Sequence, residues 1–165
     1  MKKLFALSLA FFVPLISIAA EEKKIASESR DAAAAYMGTM HFIVGRMAYD
    51  CFGLLTRADT PKGFVSQWQK RNNPFYDAAN IYMNERLAET EKLSGREARD
   101  KVAADYDASI RQNGMAAIED FSRNGDKYEV CRRIITLIEI GAFDVNTKTA
   151  SYGELEALVE FVGKR

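Results

Sequence analysis

Two cysteines, Cys51 and Cys131, are the only ones in this chain of 165 residues, and a bond between them would constrain its fold more than any other feature. An even number of cysteines without a CxxC motif is typical of a structural disulfide rather than a redox site. In the chain-entropy model, closing so long a loop stabilises the fold by about 4 to 5 kcal/mol. That is a large share of the stability of a typical domain, about 5 to 15 kcal/mol. We predict a Cys51–Cys131 disulfide, with two buried free thiols as the alternative.

The N-terminus has the pattern of a cleaved secretory signal peptide. Two lysines precede an apolar run from Leu4 to Ile18, and small residues ending at Ala20 come before the charged sequence EEKK. A membrane anchor is the alternative, but a span usually needs about 20 apolar residues, and this run is shorter and contains Pro14. We predict a signal peptide at residues 1–20 and a single α-helical domain at residues 21–165. The expected location is periplasmic or secreted, with membrane contact only during export.

Helical periodicity and helix-start signals recur along the chain, whereas sustained alternation of β-branched residues does not. The first helix is predicted from Ser29 to Leu55, and its apolar stripe comprises Tyr36, Met40, Val44, Met47, Cys51 and Leu54. Start signals follow at Thr60-Pro61, Asn73-Pro74, Ser94 to Glu97, Asp126 and Ser151 to Glu154. Asn113-Gly114 would bend or divide the fourth helix, and residues 142–150 are predicted to form a loop. We predict an all-α fold, a compact bundle of about five to six helices closed by one disulfide.

The charge balance gives no sign of a nucleic-acid partner. The whole chain has 23 basic and 23 acidic residues. Residues 1–20 contain two lysines and no acidic residue, so the remainder is slightly acidic. Because a nucleic-acid-binding surface needs a concentration of lysine and arginine, we expect no nucleic-acid partner.

Met37, Met40 and His41 stand at positions i, i+3 and i+4 of the predicted first helix, so they lie on adjacent parts of its surface. Thioethers are soft ligands suited to Cu(I), and imidazole also binds copper. A Cu(I) or other metal-handling site is therefore the alternative to ordinary packing. His41 is the only histidine and no CxxCH motif is present, which excludes a multi-histidine metal site and c-type haem. Because methionine commonly fills gaps in a core, we expect packing and predict no cofactor.

The sequence contains no recognisable catalytic motif. A GxSxG nucleophile elbow is absent, and adjacent carboxylates such as Glu119 and Asp120 diverge around a helix instead of facing each other across a substrate. The predicted disulfide also leaves no thiol for cysteine catalysis. We therefore expect a protein that is not an enzyme. The alternative is a hydrolase whose carboxylates converge from different helices.

Trp68 has Gln67, Lys70 and Arg71 around it, and tryptophan and arginine are common anchors of protein interfaces. We expect Trp68 to pack in the core, as most of the aromatic residues around it should, and a recognition corner formed by these four residues is the functional alternative. The predicted function is a protein-binding module, acting as an inhibitor, a toxin-neutralising protein or a chaperone on another envelope or secreted protein. A small ligand in an apolar pocket between helices is a further alternative. The sequence does not specify the oligomeric state.

Overall fold

The computed structural model describes residues 25–123 and 125–165, so the signal peptide predicted at residues 1–20 lies outside the described residues. The described residues form five α-helices and no strands. The helices are α1 (Glu28–Phe52), α2 (Pro61–Arg71), α3 (Asn73–Ser122), α4 (Lys127–Glu139) and α5 (Tyr152–Gly163). The all-α prediction is confirmed. Across these ranges, each helix is too short or too polar to cross a membrane.

Local capping explains where three of the helices begin. In α1, α2 and α4, a side-chain oxygen at the N-cap accepts a hydrogen bond from the backbone N–H three residues later. These N-caps are Ser27, Thr60 and Asp126. The starts predicted at Thr60 and Asp126 are therefore confirmed, and α1 begins one residue before the predicted Ser29.

α5 begins where predicted but without the predicted capping hydrogen bond. Ser151 occupies the N-cap position, but its side chain makes no capping hydrogen bond. The reason is its backbone conformation, φ −98° and ψ 21°, which differs from the extended conformation that directs a capping side chain at the first turn. The capping box predicted at Ser151 to Glu154 is wrong, although the helix boundary is right.

α1 ends earlier than predicted. The helix stops at Phe52, and Thr56 then takes a left-handed conformation with φ 51°, through which an α-helix cannot continue. Leu54 consequently falls outside the helix and is 41% exposed. The prediction that Leu54 extends the buried stripe is wrong, whereas Val44, Met47 and Cys51 are buried as expected.

α3 folds back on itself at Gly95, which has φ 83° and ψ 173°. Two contacts with α1 establish the reversal. The Tyr82 hydroxyl donates to the Asp31 carboxylate, and the Tyr106 hydroxyl donates to the Ala34 carbonyl at 2.9 Å. In one straight helix these tyrosines would lie about 36 Å apart, so they reach adjacent turns of α1 only because the chain reverses. We call residues 73–94 arm 1 and residues 96–122 arm 2.

The reversal confirms the helix boundary predicted at Ser94 to Glu97. The bend predicted at Asn113-Gly114 is wrong, because arm 2 remains helical there. Gly114 instead permits a close crossing of arm 2 and α1. A Cβ atom at Gly114 would lie 2.4 Å from Cδ1 of Phe42.

α1 lies at the centre of the molecule and packs against each of the other four described helices. Arm 1 runs antiparallel to α1 and arm 2 runs parallel to it, as the residues in contact show. The largest fully buried side chains are Trp68, Tyr82, Met37, Ile134, Ile135, Ile138, Leu155, Leu158 and Val44. They come from all five helices, so one continuous core connects them.

The predicted disulfide joins the last turn of α1 to α4. Cys51 and Cys131 are bonded with their Cα atoms 5.3 Å apart, and both are buried. The predicted bundle closed by one disulfide is therefore confirmed. α4 ends at Glu139, and the predicted terminator Gly141 follows its C-cap with a φ of 80°, which lets the N–H of Ala142 return to the carbonyl of Leu137.

Candidate binding cleft

Trp68 lies in the core and not at the surface. Its exposed fraction is 0%, and its indole N–H donates to the carbonyl of Phe143 at 3.2 Å. A fully buried side chain offers no area to a partner, so the interpretation of Trp68 as an interface anchor is wrong. The neighbouring Gln67 and Lys70 are exposed, and their role in an interface stays a prediction.

Arg71 and its neighbour Asn72 fasten the loop at residues 142–150 to the turn between α2 and α3. Nε of Arg71 lies 2.7 Å from the Asp144 carboxylate, and Nη2 donates to the carbonyl of Ile138 at 2.8 Å. The buried Asn72 accepts from the N–H of Val145 at 2.7 Å. Arg71 therefore stabilises the fold by holding the predicted loop at a defined position.

Met37, Met40 and His41 line two different cavities. Met37 is fully buried and lines the same cavity as His41. Met40 lines a different cavity of about 420 Å³ beneath the loop, beside Tyr36. Met40 therefore lines a different cavity from Met37 and His41, and the Cu(I) alternative stays a prediction. Within residues 25–123 and 125–165, no group of three histidine, cysteine, aspartate or glutamate side chains is placed to hold a metal ion.

A cleft of about 490 Å³ lies between the two arms of α3. α1 forms its floor, Tyr76 and Asn80 belong to arm 1, and Tyr106 and Ile110 belong to arm 2. Residues of both arms and of α1 therefore surround the cleft. Cavities of this size with aromatic walls are typical of sites for small ligands.

Two glycines of α1 shape the floor in different ways. At Gly38 a Cβ atom would lie 2.3 Å from Cδ1 of Ile110, so this glycine allows arm 2 to approach. At Gly45 the nearest atom to a Cβ would be Cγ2 of Val65, at 3.9 Å, so this glycine leaves open space in the cleft. Neither glycine was predicted to shape a site. Their separation of seven places them on one face of α1, which was the available signal that this face lacks side chains at two positions.

Aromatic side chains form much of the remaining wall. The cleft is lined by Phe42, Tyr49, Tyr76 and Tyr106, and by the imidazole of His41. The ring centroids of His41 and Tyr76 are 5.2 Å apart. Tyr49 stands at the surface with 75% of its area exposed. Burial raises the pKa of Tyr106 to about 12, so its hydroxyl is a neutral donor, already used by the Ala34 carbonyl.

His41 is held neutral at the base of the cleft. Burial lowers its pKa from the ordinary value of 6.5. Its Nε2 atom lies 3.1 Å from Nε2 of Gln69, so the unprotonated nitrogen of the neutral ring can accept a hydrogen bond from the Gln69 amide. Sequence reasoning did not identify Gln69, because a contact between α1 and α2 leaves no local pattern.

The charges at the rim of the cleft are paired with each other. Nε of Arg46 lies 2.6 Å from the Asp50 carboxylate, and Nε of Arg111 lies 2.7 Å from that of Asp107. Each pair joins one basic and one acidic residue, so the rim has no strong excess of either sign. With a neutral His41 below, the cleft is chemically suited to an uncharged, largely apolar ligand.

Comparisons with protein-family models, with curated proteins and with solved structures find no match to this chain.

Proposed function

We propose that this protein is an exported, non-enzymatic binding protein and that the cleft between the arms of α3 binds an uncharged, largely apolar small molecule. The observation that carries the proposal is the preformed cavity of about 490 Å³ with aromatic walls. A cavity of this kind is the usual form of a ligand site. The disulfide supports export, because such bonds persist in oxidising compartments such as the periplasm.

The chain contains its own reporter for a test of binding. Trp68 is the only tryptophan, and its ring centroid lies 6.3 Å from those of His41 and of Tyr76, which both line the cleft. A bound ligand should therefore change the emission of Trp68. We suggest titration with N-phenyl-1-naphthylamine, a neutral apolar fluorophore, followed by tryptophan emission and by the emission of the probe.

The Gly45→Leu variant tests whether the probe binds in this cleft. The open space at Gly45 accepts the new side chain, so the helix should form while the cleft is filled. We expect binding to weaken about tenfold or more, since burial of the ligand is lost. Gly153→Leu is the matched control, because Gly153 lies in α5 with no atom near its Cβ position. Equal affinity of the wild type and Gly45→Leu would contradict the proposal.

A protein partner is the second candidate, and the exposed ring of Tyr49 at the rim favours it. In this case an apolar side chain of an envelope or secreted protein occupies the cleft, and the role is that of an inhibitor, a toxin-neutralising protein or a chaperone. Tyrosine is a common interface anchor. Tyr49→Ala should then reduce cross-linking to a partner in envelope extract by a larger factor than it reduces the affinity for N-phenyl-1-naphthylamine. Tyr128→Ala is the matched control, since Tyr128 is also exposed but lies on α4.

A further inference from the structure

The hairpin of α3 depends on the conformation of a single residue. All of α3 lies within the described residues, and Gly95 is the one residue in it with non-helical angles. Its φ of 83° and ψ of 173° belong to a region that is essentially restricted to glycine. Residues 91–97 are exposed, and no atom lies within 4 Å of a Cβ position at Gly95. Returning this residue to helical angles would make arms 1 and 2 one continuous helix without a clash at the turn.

Opening the turn would separate the molecule into two halves. Residues 25–94 contain α1, α2 and arm 1, and residues 96–165 contain arm 2, α4 and α5. Both arms pack on α1, through Tyr82 in arm 1 and through Tyr106 and Ile110 in arm 2. If arm 2 leaves α1, the apolar faces of both lose their partner. A second copy of the chain supplies the same surfaces, so exchange of halves would restore every contact except the turn itself.

The disulfide connects the two halves across the turn. Cys51 lies before Gly95 and Cys131 lies after it. A bond within one chain therefore holds arm 2 on its own α1. In a dimer with exchanged halves, Cys51 of one copy would instead meet Cys131 of the other, and two bonds between the chains would form.

We propose that Gly95 is a hinge at which two copies of this chain can exchange residues 96–165, and that oxidation of Cys51 and Cys131 fixes whichever arrangement has formed. The surface used is the contact between α1 and arm 2, and the partner is a second copy. The oxidant is a small disulfide such as oxidised glutathione. The Cys51 thiolate attacks it and releases one glutathione, and the Cys131 thiolate then displaces the second, so that two protons and two electrons leave the protein.

The Gly95→Ala variant should favour the exchanged dimer. Alanine is poorly tolerated in the glycine-only region and is the best helix former, so the variant disfavours the turn and favours the continuous helix. We expect the dimerisation constant to rise about a hundredfold, measured by light scattering after refolding from reduced chain. Gly153→Ala, at an exposed helical glycine, should stay monomeric. Three glycines inserted after Ser94 in the Gly95→Ala chain should restore the monomer by lengthening the turn.

Single-cysteine chains distinguish exchange from other association. In the Gly95→Ala background, Cys51→Ser and Cys131→Ser chains are refolded together and oxidised with glutathione disulfide. Exchange predicts a covalent heterodimer on a non-reducing gel, because the remaining cysteines meet across the dimer. With Gly95 retained, we expect much less of this heterodimer. A monomeric Gly95→Ala protein with an intrachain disulfide would overturn the proposal. If the Gly95→Ala protein aggregates, the two single-cysteine chains are instead refolded together with Gly95 retained, at increasing protein concentration. The amount of covalent heterodimer must then rise with concentration. Absence of the heterodimer overturns the proposal.

Discussion

At the scale of single residues, the positions that shape the cleft and the helix packing are those where a side chain or a glycine contacts another helix. His41 touches Gln69 of α2, and Gly114 touches the ring of Phe42. Residues with strictly local tasks could be predicted from the sequence, as Thr60 and Asp126 show, because an N-cap bonds within its own first turn. The packing of Trp68 in the core could be expected because large aromatic side chains are usually buried, but its hydrogen bond to the carbonyl of Phe143 in a distant loop could not.

His41 should make stability depend on pH. Burial lowers its pKa in the folded state below 6.5, so the unfolded chain binds more protons in the interval between the two values. The contribution of the neutral His41 to the free energy of unfolding is complete above about pH 6.5. It is lost as the pH falls from there through the pKa of His41 in the folded state. We expect the free energy of unfolding in urea to fall between pH 7.5 and pH 5.5, and to fall less in His41→Gln. An equal decrease in both proteins would show that His41 is not responsible.

Replacement by alanine should have opposite effects on stability at Gly45 and at Gly114. Gly45→Ala has space for the new methyl group, so we expect a gain of about 1 kcal/mol from helix propensity. Gly114→Ala places its methyl group against the ring of Phe42, and overpacking should cost about 1 to 3 kcal/mol. Urea unfolding of both variants checks the pair. Similar effects at the two positions would mean that arm 2 crosses α1 less closely than described.

At the scale of elements, most helices could be predicted because their periodicity and end signals are local. The direction of arm 2 could not. Ser94 to Glu97 indicates a helix boundary in the sequence, but the same signal fits a kink, a loop or a full reversal. Only the contacts of Tyr82 and Tyr106 with α1 decide between them. The cleft depends on this reversal, so the candidate site could not be predicted beyond the presence of His41 and the aromatic residues.

The loop at residues 142–150 should depend on Asn72. Asn72→Ala removes the acceptor of the Val145 N–H and the donor to the Trp68 carbonyl, both in a largely buried setting. We expect a loss of about 1 to 3 kcal/mol in urea unfolding, and faster amide hydrogen exchange in the loop. Asn80→Ala is the matched control, because Asn80 makes a comparable bond to the Tyr76 carbonyl on an exposed surface. Unchanged exchange in Asn72→Ala would contradict this account.

At the scale of the whole molecule, the disulfide could be predicted from two independent patterns. The N-terminal segment indicates an oxidising compartment, and both cysteines fall on apolar stripes of predicted helices. The bond joins α1, the central helix, to α4. It thereby restricts about half of the unfolded chain, and its contribution belongs to the global stability.

Removal of the disulfide should lower the global stability. For the Cys51→Ala, Cys131→Ala double variant, we expect a loss of about 2 to 5 kcal/mol in the free energy of unfolding. The denaturant slope should also rise, because the unfolded chain without the bond exposes more surface. Urea unfolding of the wild type with and without reductant provides the comparison. An unchanged midpoint in both experiments would show that the bond contributes little.

The exposed turn at residues 91–97 lies inside the covalent ring that the disulfide closes. An endoprotease that cleaves this turn would cut the backbone between the arms without releasing either piece. The two fragments would remain tethered by the cystine and packed on a shared core, so the nicked molecule keeps its mass, apart from one added water, until its sulfur–sulfur bond is reduced.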